Sequence, residues 1–184
     1  MSDTASITVT DVNDAPVLDN AGLMTLTAID EDNFTSVGDT VSAIIASAGG
    51  DRITDVDTGA AEGIAVIGVD DTNGTWQYNV GGGWTAFGAV TNTNAILLAD
   101  SEMIRFVPTG NYHGSAGDIT VRAWDTTGGN FSGDTAVDVS TNGGTAAFSS
   151  QTETATLTVN AINDAPLLDA SGDMLLTNVD EDDF

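Results

Sequence analysis

The chain has no cysteine and no lysine, and among its 184 residues it has one histidine and three prolines. Without cysteine there is no disulfide and no thiolate metal site, so its composition suits hard cations held by oxygen, and the redox compartment stays open. Three arginines face 28 acids, a formal net charge of −25, which repels phosphate backbones and anionic membrane surfaces. Nucleic acid is thereby excluded as a partner. No apolar run approaches the roughly 20 residues that cross a bilayer, which excludes membrane insertion. The opening "MSDTASITVT" lacks the basic-then-apolar order of a signal peptide, so export would be directed from outside this segment.

Catalytic groups are equally scarce. His113, the single histidine, stands in the loop sequence "NYHGSAG" with no acid or cysteine in the same turn, and no "GxSxG" elbow is present. A glycosidase carboxylate pair cannot be recognised by spacing in so acidic a chain. The triplet Gly81–Gly83 follows "WQYNV" and opens no helix, which makes it a hairpin turn instead of a phosphate cradle. The expectation is a protein that is not an enzyme.

What the chain has in quantity is short alternating runs rich in β-branched and aromatic residues. They are "ITVT", "MTLTAI", "TVSAIIAS", "GIAVIGV", "TWQYNV", "MIRFVP", "ITVRAWD" and "TATLTV", and each reads as a strand. Turn sequences such as "SAGGD", "DDTNG", "PTGNYHG" and "TNGG" separate them, and no window carries a helical period. With 41% hydrophobic residues there is enough apolar material for a core, and the predicted fold is an all-β, immunoglobulin-like Greek-key sandwich.

Residues 3–34 align without a gap to residues 153–184: "DTASITVTDVNDAPVLDNAGLMTLTAIDEDNF" over "ETATLTVNAINDAPLLDASGDMLLTNVDEDDF". This is a repeat period. It divides the chain into the closing strand and linker of a preceding repeat (1–12), one complete repeat (13–160), and the linker and first strand of a following repeat (161–184). The termini of the complete repeat are expected at opposite poles. It exceeds the roughly 100 residues of a plain sandwich, so inserted hairpins are expected around "TWQYNVGGGWTAF". The incomplete ends also suggest strand exchange between molecules.

Acids gather at the repeat boundary and at strand ends. In "DVNDAP" the proline keeps the preceding residue extended, so Asp11 and Asn13 project to one side and Asp14 to the other. Further clusters are "IDED" (Asp30, Glu31, Asp32), "DVD" (Asp55, Asp57) and "WDTTGG" (Asp125). Calcium takes six to eight oxygens at about 2.3–2.6 Å, and i, i+2 acid pairs supply them. Asp70 and Asp71 in "DDTNG" have no partner motif and read as turn formers.

Together these residues resemble a family, the bacterial cadherin-like repeats of large extracellular adhesins. Its animal relatives join domains through "DxNDNAP", "DxD" and "xDxG", which correspond here to "DVNDAP", "DVD" and "WDTTGG". The stretch "IRFVPTGNYHGSAGDITVRAWD" is similar to the "F-x-P…N-x-x-G…A-x-D" signature of bacterial tandem repeats. The resemblance implies a Ca2+ site built by Asn13, Asp55, Asp57 and Asp125, with Asp11 and Asp14 as bridging neighbours. It implies that Glu31 points toward the preceding linker, and that Asn163 and Asp164 serve the next junction. The linker lacks one asparagine of the animal motif, Ala161 replaces Asp11 in the second copy, and no "LDRE" precedes "ITVRAWD"; Asp100 and Glu102 of "ADSE" are its nearest substitute. The partners implied are neighbouring repeats of the same chain and homophilic protein contacts, at the cell surface or outside the cell. Since some such domains bind polysaccharide, Trp76, Tyr78, Trp84 and Trp124 are weighed as a sugar platform, against the alternative that they fill the core. A passive spacer without a ligand is the third possibility.

Overall fold

The computed structural model describes residues 3–172, 174–175 and 180–182. Among these, twelve strands and one helix follow in the order β1 (Val17–Leu18), β2 (Met24–Thr25), β3 (Ile29–Asp30), β4 (Asp39–Thr40), α1 (Val41–Ser47), β5 (Ile53–Thr54), β6 (Gly63–Val69), β7 (Gly74–Asn79), β8 (Thr85–Ala86), β9 (Ile96–Ala99), β10 (Met103–Pro108), β11 (Gly114–Trp124) and β12 (Glu153–Asn160).

They build an all-β sandwich. One sheet runs β2-β12-β11-β6-β9, with β3 also paired to β12; the second runs β4-β10-β7-β8; β1 and β5 form a separate pair. β11 is antiparallel to both neighbours, with Ile119 opposite Ala155 and Val121 opposite Val66. The short opening strands lie parallel to the closing one, Met24 opposite Ala155 and Ile29 opposite Val159. β2 and β3, near the start of the fold, therefore lie beside β12, the last strand.

Alternation makes the core. Ile104 and Phe106 of β10 and Trp76 and Tyr78 of β7 are buried, as are Ile119, Val121 and Ala123 of β11, and these two sets face each other across the sandwich. A strand places every second side chain on one face, so such alternation buries one face of each sheet. The Trp76 and Phe106 rings meet at 5.0 Å, tilted by 57°, a contact that adds about 0.5–1.5 kcal/mol to area burial. Gly81 and Gly83 form the turn of the β7–β8 hairpin, where both amides donate to Asn79 Oδ1.

Two expectations change. "TVSAIIAS" is not a strand: Val41–Ser47 is helical, capped by Thr40, whose Oγ1 accepts the Ala43 amide at 3.2 Å. Val41, Ile44 and Ile45 are buried, the i, i+3, i+4 set of one helical face. Val41, Ala43 and Ile45 also satisfy a period of two, so the capping threonine and the available core surface decide the outcome.

The extra length is also elsewhere. The hairpin around "TWQYNVGGGWTAF" does form, with Tyr78 opposite Thr85, but it belongs to the second sheet. The long excursion is residues 125–152, between β11 and β12. It lies over the outer face of the large sheet, where Val139 and Phe148 join Trp124, Ala65, Ala95 and Leu97 in a second apolar cluster. Arg122 pins its return, donating from Nη1 to the carbonyls of Ser149 and Ser150 and from Nε to Asn92 Oδ1. Around β6 and β9 the sheet is thus covered on both faces.

Candidate functional site

β11 ends at Trp124, and the next residue, Asp125, is 3% exposed although it carries an acid. Thr127 donates both its amide and its hydroxyl to Asp125 Oδ1, at 2.8 and 2.7 Å. This local turn aims Oδ2 away from the sheet, where Asn13 Nδ2 reaches it at 2.9 Å. "DVD" follows β5 and makes a similar turn: the Asp57 amide donates to Asp55 Oδ1 at 2.8 Å, which presents the Asp57 carboxylate to the linker. Asp57 Oδ2 accepts the Asp14 amide at 2.8 Å.

The excursion completes the grip. Gly143 and Gly144 adopt φ of 71° and 61°, a left-handed turn that glycine enters without strain. The turn exposes the Gly144 carbonyl to the Ala15 amide at 2.8 Å, and the Thr145 and Ala146 carbonyls lie 3.5 and 3.4 Å from Asn13 Nδ2. Beyond it Pro16 and Leu18 are buried, and Leu18 pairs with Ile53 in the β1–β5 ladder. The Asn13 amide nitrogen is spent on protein acceptors, which leaves its Oδ1 available to a ligand.

Two clefts adjoin the linker. One, of about 340 Å³, is lined by Asp51, Asp55, Asp57, Glu62 and Asp125; the other, of about 360 Å³, by Asp11, Asn13, Asp57, Asp125 and Thr127. Asp57 and Asp125 line both. Asp55 Oδ2 is buried with no hydrogen-bond partner, the orphaned anionic oxygen that a cation would satisfy. Partial desolvation at the cleft edge, and after it the neighbouring Asp51 and Asp100, raises the carboxyl of the exposed Glu62 above its ordinary value. Among the described residues no three His, Cys, Asp or Glu side chains already stand at the spacing of a metal cage. Asp51 and Glu62 escape sequence inspection because each is a lone acid in a turn; their common signal is position, just before β5 and just before β6.

Asp11, Asn13, Asp14, Asp55, Asp57 and Asp125 are therefore together at one end of the sandwich. Glu31, Asn163 and Asp164 are not. β11 runs from Gly114, opposite Val159, to Trp124, opposite Gly63, so the end of β12 lies at the far end of the sheet from Asp125. At roughly 3.3 Å per residue, the 11 residues of β11 put about 35 Å between the two ends. Glu31, 3% exposed, sits at that far end, where its Oε1 accepts the Ile162 amide at 2.7 Å. Glu31 thus faces the second linker and not the preceding one, because β3 pairs in parallel with the end of β12 and carries Glu31 past it. The fold also brings His113 to this acid, Nδ1 at 3.5 Å from Glu31 Oε2, with the imidazole exposed.

Trp76, Tyr78 and Trp124 are buried, the core role weighed for them. Trp84 is half-buried, with the Arg105 guanidinium 4.3 Å above its ring. No pair of exposed aromatic faces comes from these four residues. Asp70 and Asp71 act as turn formers, accepting the Thr72 and Trp76 amides. Among the described residues no helix is long and apolar enough to cross a membrane.

No protein family matches the chain, and no curated protein or solved structure does.

Proposed function

We propose that the chain is a calcium-stabilised, cadherin-like repeat of a cell-surface or secreted adhesin, in which ions at each linker stiffen a tandem array. The observation that carries this reading is that Asp57 and Asp125, from distant parts of the chain, both hydrogen-bond the linker and both line the two clefts beside it. Clustered carboxylates repel one another, and a divalent ion shared among them converts that repulsion into cross-linking.

The donor set suits calcium. It is all oxygen, it includes i, i+2 acids, and one of its buried oxygens has no other partner. Asp55, Asp57, Asp125, Asp11 and Asn13 Oδ1 would hold the ion, with Asp51 and Glu62 at the edge of the same cleft. Calcium there supplies charge neutralisation and a rigid connection; the protein residues orient the linker. Glu31, Asn163 and Asp164 serve the following junction, and neighbouring repeats are the partners.

Calorimetric titration with Ca2+ tests this directly. Binding heat is expected, together with a raised melting temperature that chelator reverses, and Asp55→Asn should weaken both. A folded chain that gives neither heat nor thermal shift would refute the proposal.

A further inference from the structure

A cleft of about 600 Å³, larger than either of the two beside the linker, opens on the outer face of the large sheet. Gly68 of β6 and Thr120 of β11 stand opposite each other on that face and line it, with Asp70, Asn73, Tyr112 and Asp118 around them. The 125–152 excursion covers the same face near Ala65 and Leu97 and contributes nothing to the lining, so the cleft is the part of the face that it leaves bare. Trp76, Tyr78, Trp84 and Trp124 line none of it.

The backbone departs from a regular sheet at this place. Both register shifts of β11, between Ser115 and Asp118 and between Thr120 and Val121, fall at the cleft, and bulges of this kind re-aim side chains next to binding sites. Two glycines open the hollow. A Cβ on Gly68 would sit 3.2 Å from Thr120 Oγ1, and one on Gly117, at φ +92°, would sit 2.9 Å from the Asp70 carboxyl carbon. Glycine inside a strand weakens it, and it marks a position where something else comes close to the backbone. The wall is fixed from within: Asn73 Nδ2 donates to Tyr112 Oη at 2.8 Å and to the Ser115 carbonyl at 3.2 Å, and the Tyr112 hydroxyl donates to the same carbonyl. These bonds spend the Asn73 nitrogen and leave its Oδ1, while the Thr120 hydroxyl and the Asp118 carboxylate make no hydrogen bond with the other described residues.

We infer that this cleft binds a neutral saccharide, one or two rings of a longer chain. Unpaired acids are the rule in a protein with 28 acids and three arginines, so Asp118 by itself singles out nothing. The distinguishing feature is an amide oxygen, a hydroxyl and a carboxylate that converge, beside a tyrosine ring, on a hollow of the volume that ligand sites have. No cation lines the cleft, so an anionic ligand is repelled, and an apolar one would leave these polar atoms desolvated and unpaired. Sugar hydroxyls satisfy all three: they donate to Asp118 and to Asn73 Oδ1, and they donate to or accept from Thr120. The Tyr112 ring offers an aromatic surface to the apolar side of a sugar ring. The cleft lies toward the start of β11, whereas Asp125 follows its end, so the site is separate from the calcium clefts and independent of whether they bind an ion.

Amide chemical shifts of the folded chain, recorded in chelator with oligosaccharides of dextran, mannan and galactan in turn, test this. Saturable shifts at Gly117 and Thr120 are expected with at least one of the three, and none with oligomers of galacturonate or with spermidine. Gly68→Val fills the hollow at a position whose φ lies outside the left-handed region, and it should abolish the shifts. Thr120→Val keeps the shape and loses the hydroxyl, which should weaken binding about tenfold, read at Gly117. Core amides unchanged from the parent report that both variants are folded. Absence of shifts with all three neutral sugars, shifts that persist in Gly68→Val, or equal shifts with galacturonate oligomers or spermidine would overturn the inference.

Discussion

Replacing Asp125 with alanine removes three hydrogen bonds to one buried carboxylate: the amide and hydroxyl of Thr127 and the side-chain amide of Asn13. Hydrogen bonds to a charged group contribute about 1.5–3 kcal/mol each, but the two from Thr127 share an oxygen, and alanine also relieves the cost of burying the acid. A net loss of about 3 kcal/mol follows. For a domain of this size each kcal/mol moves Tm by about 2–4 °C, so the variant should melt about 6–12 °C below the parent in chelator. Asp125→Asn keeps the acceptor for Thr127 and loses one bond to Asn13, for about 1 kcal/mol and about 2–4 °C. Calcium at a hundred times its Kd adds about 2.7 kcal/mol to a protein that binds it, so in calcium the gap between parent and Asp125→Ala should widen by about that much. Differential scanning calorimetry, with and without calcium, reads both effects. If Asp125→Ala melts within about 1 °C of the parent in both conditions, neither the linker grip nor the ion site is built as described.

Three further outcomes follow from the geometry. Glu62 is exposed, but its partial desolvation at the cleft edge, and after it the Asp51 and Asp100 charges, raise its carboxyl, so the folded state modestly favours the proton. The stability it contributes is complete below its ordinary value of 4.5 and is lost as pH rises through the raised one. Without calcium, Glu62→Gln should therefore match the parent in thermal melts near pH 4 and exceed it near pH 7; the reverse order would contradict the assignment. Arg122→Met leaves the Ser149 and Ser150 carbonyls and Asn92 without their donor, at about 1–3 kcal/mol, and limited proteolysis should then cut the 125–152 excursion before the sheets. Gly117→Ala places a Cβ 2.8 Å from the Asp70 carbonyl at φ +92°, which should cost about 1–3 kcal/mol in a chemical denaturation curve.

Much of the fold was legible because it depends on local alternation. "MIRFVP" and "TATLTV" place apolar residues at every second position, and β10 and β12 bury those residues. Val41–Ser47 is ambiguous in sequence because seven residues are too few to separate a period of two from a period of 3.6; Thr40 as cap and a free stretch of core surface settle it as helix. The 125–152 excursion is hard to read in sequence because its alternation is confined to Val137 and Val139 amid glycine-rich turns, and it joins the sheet only through single bridges, Val137 to Ala95 and Phe148 to Trp124.

The candidate site divides in the same way. The paired linkers, "DVD" and "WDTTGG" mark themselves by composition and repetition, and their local turns, such as Asp57 onto Asp55 and Thr127 onto Asp125, need only neighbours in sequence. Which acids share an end of the sandwich is a different matter. The parallel pairing of β3 with β12 carries Glu31 to the second linker and His113 to Glu31, while Asp51 and Glu62 arrive beside Asp55 from turns that look ordinary in the chain. Residue identity and spacing alone determined a β-rich, acidic chain in which the same acid-bearing segment occurs twice. Partnership among those donors was decided by strand pairing across long separations, because the distance between two side chains depends on register, and register is a property of the whole sheet.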